Sequence, residues 1–240
     1  MNETTFSVSS ADLGGQPNAI VISGDAIFIA GSTSAGGSGA WRIEKRSRLT
    51  GALDSAFGSG GVVASDPNPG QNDELNDMIL VGGSLCAIGI GRPTGLARWR
   101  IEKRSAATGA LDSGFGAGGT VIQDPAPAED DFLYSVVPDS SATAMYLAGS
   151  SDVGAGFQQW RIEKRALATG VLDPSFNGTG VVTIAAGGGT QSRIYDMARD
   201  GTALYVAGGF RAANVLWRAS KLSLVDGSPM TAFDGDGHVD

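Results

Sequence analysis

The chain is poor in the residues that most often do chemistry. Its 240 residues include one cysteine, Cys86, and one histidine, His238. A single thiol excludes an internal disulfide. A Ser-His-Asp or Cys-His relay would have to be built on His238, and a zinc site has too few nitrogen and sulfur ligands. Positive charge is scarce too: 17 Lys and Arg against 25 Asp and Glu give a net charge of −8. That balance argues against a phosphate-neutralising nucleic-acid surface and against binding to anionic lipid. No run of 18 apolar residues exists, so no membrane-spanning helix is expected. The opening MNETTFSVSSADLGG lacks both the basic and the apolar part of a secretory signal. A mature extracellular or periplasmic chain, or an excised piece, is expected rather than a cytoplasmic one. No segment shows the periodicity of a useful amphipathic helix.

Glycine, by contrast, is abundant, with 37 residues, about twice the usual share. Tight turns are therefore expected throughout. The sequence WRIEKR occurs at 41–46, 99–104 and 160–165, and WRASKL stands at 217–222. Aligned on Trp41, Trp99, Trp160 and Trp217, the chain falls into four units. Lys45, Lys103, Lys164 and Lys221 follow four places later. Phe57, Phe115, Phe176 and Phe233 follow sixteen places later. The Trp and Lys of these positions are all those the chain contains. A true internal repeat of this period marks a repeat architecture.

Each unit reads as four short strands separated by turn signals. The first is of the NAIVIS type, the second of the AIFIAG type, the third WRIEKR and the fourth of the GVVAS type. A unit of four antiparallel strands near 60 residues is a propeller blade. The expected fold is an all-β propeller of four blades, one domain over 1–240. Its units run roughly 11–65, 66–123, 124–184 and 185–240. TFSVSS, within 1–10, is expected to complete the last blade and close the ring, because GHVD ends where that blade's fourth strand should begin. The alternative is a half-ring that dimerises into eight blades.

LDSAFGSGGVV (53–63), LDSGFGAGGTV (111–121) and LDPSFNGTGVV (172–182) resemble the delta-60 repeat of bacterial β-propeller proteins. The resemblance covers nearly the whole chain in four copies. It implies a propeller, often in a surface or secreted setting, and no catalytic residues. The fourth copy departs from it, with Pro229-Met230 for Leu-Asp and FDGDG for FGxGG.

Alternation along a strand puts Trp41, Ile43 and Lys45 on one face and Arg42, Glu44 and Arg46 on the other. Trp and Ile read as core between blades, with Arg42 pairing Glu44. Asp54, Asp112 and Asp173 are the expected partners of Lys45, Lys103 and Lys164. The competing reading is a ring of Arg or Lys gripping an anion. The innermost strands offer Asn18, Asp77, Ser135 and Asp196 to the axis. Two acidic, Pro-rich loops, 66–77 and 124–131, fall on one face. The Gly-rich loops 31–40 and 149–157 are expected on the opposite face.

No cofactor is expected. Asp234 and Asp236 in FDGDGHVD are the carboxylates a calcium ion would use, but the 12-residue ligand spacing and closing Glu are absent. Asp-Gly turns account for both. The function expected is a non-catalytic binding or assembly module, contacting protein or glycan through loops on one face. One alternative is a carboxylate-based hydrolase or lyase in a central funnel. Another is an accessory subunit exposing FRAANVL (210–216) to a partner.

Overall fold

A computed structural model describes residues 15–34, 37–125, 128–154, 157–185, 192–211 and 215–240, with backbone alone at 210, 211 and 215. It is all β. The first sheet comprises β1 (Gly15–Ser23), β2 (Ala26–Thr33), β3 (Ala40–Ser47) and β4 (Val62–Ser65). The second comprises β5 (Glu74–Val81), β6 (Ser84–Gly91), β7 (Arg98–Ser105) and β8 (Thr120–Gln123). The third comprises β9 (Phe132–Pro138), β10 (Ala144–Asp152), β11 (Gln158–Ala166) and β12 (Val181–Ile184). The fourth comprises β13 (Arg193–Arg199), β14 (Ala203–Arg211), β15 (Val215–Ser223) and β16 (His238–Val239). Each sheet is a four-stranded antiparallel meander in chain order.

The reason for the repeat lies between the sheets. Each apolar core is made by the outgoing face of one sheet and the incoming face of the next. Trp41, Ile43 and Phe57 of the first sheet pack with Leu75, Met78 and Leu85 of the second. Trp99 and Phe115 then meet Val136 and Met145, and Trp160 and Phe176 meet Met197 and Leu204. All six of these Trp and Phe residues are at most 1% exposed. Full burial of such side chains stabilises by about 1.5–3 kcal/mol each. Each buried indole also keeps a hydrogen bond: Trp41, Trp99 and Trp160 Nε1 donate to the carbonyls of Ile90, Ser150 and Gly209, at 3.2, 3.2 and 3.1 Å.

The charges of WRIEKR are consumed within the strand. Glu44 accepts from Arg42 and Arg46 at 2.6 and 2.7 Å. Glu102 sits between Arg100 and Arg104, and Glu163 between Arg161 and Arg165, at 2.6–2.7 Å. Burial alone would raise the Glu44 carboxyl. The hydrogen bonds and charges of its two arginines outweigh that and hold it below the ordinary range. The second arginine reaches on to the turn, donating to the carbonyl of Gly51, Gly109 or Gly170 at 2.7–2.8 Å. On the other face Lys45, Lys103 and Lys164 pair with Asp54, Asp112 and Asp173 at 2.8, 2.8 and 3.0 Å. With every one of these charges partnered, an anion-gripping ring loses its free cations.

The last sheet breaks the pattern. Ser220 and Leu222 replace the Glu and second Arg, and Arg218 instead pairs with Asp240. Trp217 is 90% exposed and Phe233 only half buried, because no described sheet lies against them. Ring closure is therefore absent among the described residues. The fourth-strand position of this sheet is begun by His238–Val239, paired with Ser220 and Ala219. Residues 1–10, expected to complete it, lie outside the described residues.

Candidate functional site

Successive sheets pack side by side through their first strands, so β1, β5, β9 and β13 adjoin along one side of the array, termed its inner surface. Each carries a bulge near its start, where one residue is skipped: Asn18, Asn76, Tyr134 and Tyr195. The glycine of each second strand stands opposite. A Cβ at Gly31, Gly89, Gly149 or Gly208 would lie 2.0 Å from a backbone oxygen of Gln16, Glu74, Phe132 or Arg193. Only glycine lets the two backbones approach this closely, which is why every second strand carries Gly at this position.

The two halves of the molecule use the bulged side chains differently. Asn18 Nδ2 donates to the Leu75 carbonyl at 2.8 Å, and Asn76 Nδ2 to the Leu133 carbonyl at 2.7 Å. These bonds seal the first two junctions. At the same register stand Tyr134 and Tyr195, whose ring centroids are 5.6 Å apart. Phe132 stacks 6.1 Å from Tyr134, nearly parallel. The Arg193 guanidinium lies 4.3 Å over the Phe132 ring. It also donates to Gln158 Oε1 at 2.8 Å and to the Tyr134 hydroxyl at 3.3 Å. Burial raises the Tyr134 phenol; Arg193 opposes this, while Tyr195 and Glu74 add to it. Tyr195 is 59% exposed. The result is an aromatic cluster open at Tyr195 and backed by the Arg193 guanidinium, which the buried Gln158 holds in place.

Deeper along the inner strands lie Asp77, Ser135 and Asp196. Asp77 accepts from the backbone amides of Met78 at 2.7 Å and Val136 at 2.9 Å. Ser135 Oγ donates to Asp196 at 3.2 Å. Burial raises the Asp77 carboxyl above its ordinary value, against the pull of its two amides and with help from the Asp196 charge. The sequence reading brought Asn18 together with these three; the structure moves it to the bulge register and puts Ala19 in its place. The reading missed Phe132, Tyr134, Arg193 and Tyr195. Counting back across each hairpin from its glycine would have aligned Asn, Asn, Tyr and Tyr.

The end loops also correct the sequence reading. Three chain reversals per sheet return both the second-to-third-strand loops and the sheet-to-sheet connections to one end. They are joined there: the Asp73 amide donates to the Gly39 carbonyl at 3.0 Å, and the Ala97 amide to Asp130 at 2.6 Å. The Gly-rich and acidic loops thus share a face, the one that holds Phe132, Gln158 and Arg193. Several acids of these connections are anchors. Asp73 and Asp131 are fully buried, accepting from backbone amides of Arg92 and Asn68, and of Asp152. Arg98 pairs with Asp124 at 2.8 Å.

Elsewhere the chemistry is sparse. Asp234 takes the left-handed turn position, φ 54°, that Gly58 and Gly116 take in other units, and Asp236 accepts from the His238 amide at 2.9 Å. Both carboxylates are explained by the turn. No three His, Cys, Asp or Glu converge among the described residues. His238 Nδ1 lies 2.7 Å from Ser220 Oγ, a base and a hydroxyl in contact, but Ser220 is 1% exposed and closed to any substrate. Cys86 is buried, which pushes its thiol up to about 12. Two grooves, of 300 and 440 Å³, open at the opposite end beside Lys103 and Lys45, whose charges are already paired. Among the described residues no helix is long and apolar enough to cross a membrane. No known protein-family profile matches the chain, and no curated protein matches it.

Proposed function

We propose that the four sheets are blades of a β-propeller related to the delta-60 repeat proteins, and that the chain is a non-catalytic binding module for glycan outside the cytoplasm. The single observation that supports this reading is the Phe132–Tyr134–Tyr195 platform, open at Tyr195, with Arg193 and Glu74 at its edge. Saccharide rings offer an apolar C–H face and a rim of hydroxyls. The exposed Tyr195 face takes the first; a guanidinium and a carboxylate take the second. The platform sits on rigid strands beside a loop-rich end, the arrangement in which a scaffold presents recognition groups. The chain's net charge of −8 favours a neutral or basic sugar over a polyanion.

The test is binding to a panel of immobilised neutral and amino-sugar oligosaccharides, with Tyr195→Ala as control. Binding that falls at least tenfold in Tyr195→Ala, with melting unchanged, supports the reading. No binding above that control across the panel refutes it.

A carboxylate-based hydrolase is the second reading, favoured by one observation: Asp77 and Asp196 lie near each other on the inner surface, with Asp77 raised. It ranks lower because the carboxylate of Asp77 is already spent on two backbone amides, which is structural work. Asp77→Asn leaving every glycan-directed property intact would close it.

A further inference from the structure

Each inner sheet has an incoming and an outgoing face, and two such faces remain uncovered. On the first sheet Ile20 occupies the register of Met78, Val136 and Met197. Those three are 2%, 2% and 4% exposed; Ile20 is 63% exposed. Ile27 is half buried where Leu85 and its counterparts are fully buried. On the last sheet Trp217 occupies the register of the three buried indoles and is 90% exposed. The described chain has made its three junctions and still leaves both faces open.

The internal junctions show what each face fits. Every outgoing Trp donates its indole N–H to the strand residue opposite the next Trp. In the first sheet that residue is Ser32, paired with Trp41. The second and third sheets also each lay an arginine over the preceding indole: Arg100 over Trp41 at 5.6 Å and Arg161 over Trp99 at 5.8 Å. In the first sheet that arginine is Arg42, its side chain 25% exposed, against 15% and 14% for Arg100 and Arg161. The open face of the first sheet therefore carries the aliphatic surface, the carbonyl and the cation that an outgoing Trp meets elsewhere.

We infer that the last sheet of one copy docks on the first sheet of a second copy, Trp217 seated between Ile20 and Arg42, and that two copies close reciprocally into a ring of eight sheets. The occupant is a second copy because the only surface known to fit an outgoing face is an incoming face of this chain. A head-to-tail contact must close or it generates fibres, and eight blades lie within the range of propellers. The inference is independent of the glycan reading. It would give the inner surface two aromatic platforms, one from each copy.

Light scattering on the purified chain tests it. The expected mass is twice the 24.3 kDa of one chain. Trp217→Asp and Ile20→Asp should each reduce it to a single mass. Both positions are exposed, so the melting of a single chain should change little in either variant. Acrylamide quenching gives a second readout on the wild type: one of four indoles should be quenched on dilution and shielded on association. A wild type that stays at one chain mass overturns the inference, as does a dimer that survives Ile20→Asp. A concentration-dependent ladder of larger masses would overturn the two-copy ring.

Discussion

The first three sheets and the last share one plan and differ in what covers them. In the first three, Trp, Ile and Phe meet a following sheet, the Glu between two arginines is buried or nearly so, and Lys pairs with Asp. In the last, the Trp is open, Ser220 stands for the Glu, and Met230 stands for the Asp. The repeat's sequence is therefore a junction sequence. It is kept where one sheet must meet the next within the chain and relaxed where none does. Trp217 and Phe233 are retained although no described sheet covers them, and that retention is what the two-copy ring explains.

The largest expected contrast is between two tryptophans. Trp99→Ala should cost about 3–5 kcal/mol, since it empties a packed site and removes the indole bond to Ser150. Trp217→Ala should cost less than about 0.5 kcal/mol in the single chain. Urea titration of both variants below the association concentration measures the difference, and similar costs would break the comparison.

The second contrast is between Glu102 and Ser220, which share a register. Glu102→Ala leaves Arg100 and Arg104 facing each other across a buried gap and should cost about 2–4 kcal/mol. Ser220→Ala removes one hydrogen bond, to His238, and should cost about 0.5–1.5 kcal/mol. The same titration reads both, and a Glu102→Ala cost no larger than that of Ser220→Ala would show that the buried acid carries no more than one hydrogen bond does.

The smallest contrast is acid-dependent. Lys45 and Lys103 hold the Asp54 and Asp112 carboxyls below their ordinary value of 3.8. A folded value below the unfolded one adds stability that is present above 3.8 and lost as pH falls through the folded value. Asp112→Met copies the last sheet at this position. Its melting temperature should lie slightly below wild type at neutral pH, and the two curves should converge as pH falls below 3.8. A gap that persists or widens in acid would remove the Lys–Asp pair from the account.

Much of this fold was legible in the residues. The Trp spacing marked the units, alternation placed Arg42 against Glu44 and Trp41 in the core, and the turn signals bounded the strands. What could not be read depended on geometry that a linear pattern does not carry. The bulges insert a residue without changing composition, so Asn18 was matched with Asp77 when its partner in register is Asn76. The platform was hidden because Tyr195, on β13, lies far in sequence from Phe132 and Tyr134, on β9. The side assigned to the Gly-rich loops was wrong because it counted one chain reversal too few. Trp217 read as core because its motif matches, although burial depends on what stands opposite.

Stability lies in the junctions between sheets, three of which are made within one chain. Exchange of the four indole N–H protons, followed by NMR at a concentration where light scattering reports one chain, tests it most directly. Three slow indoles, those of Trp41, Trp99 and Trp160, and one fast, that of Trp217, are predicted. Four equally slow indoles in the single chain would mean instead that it closes on itself, with Trp217 buried in a fourth junction.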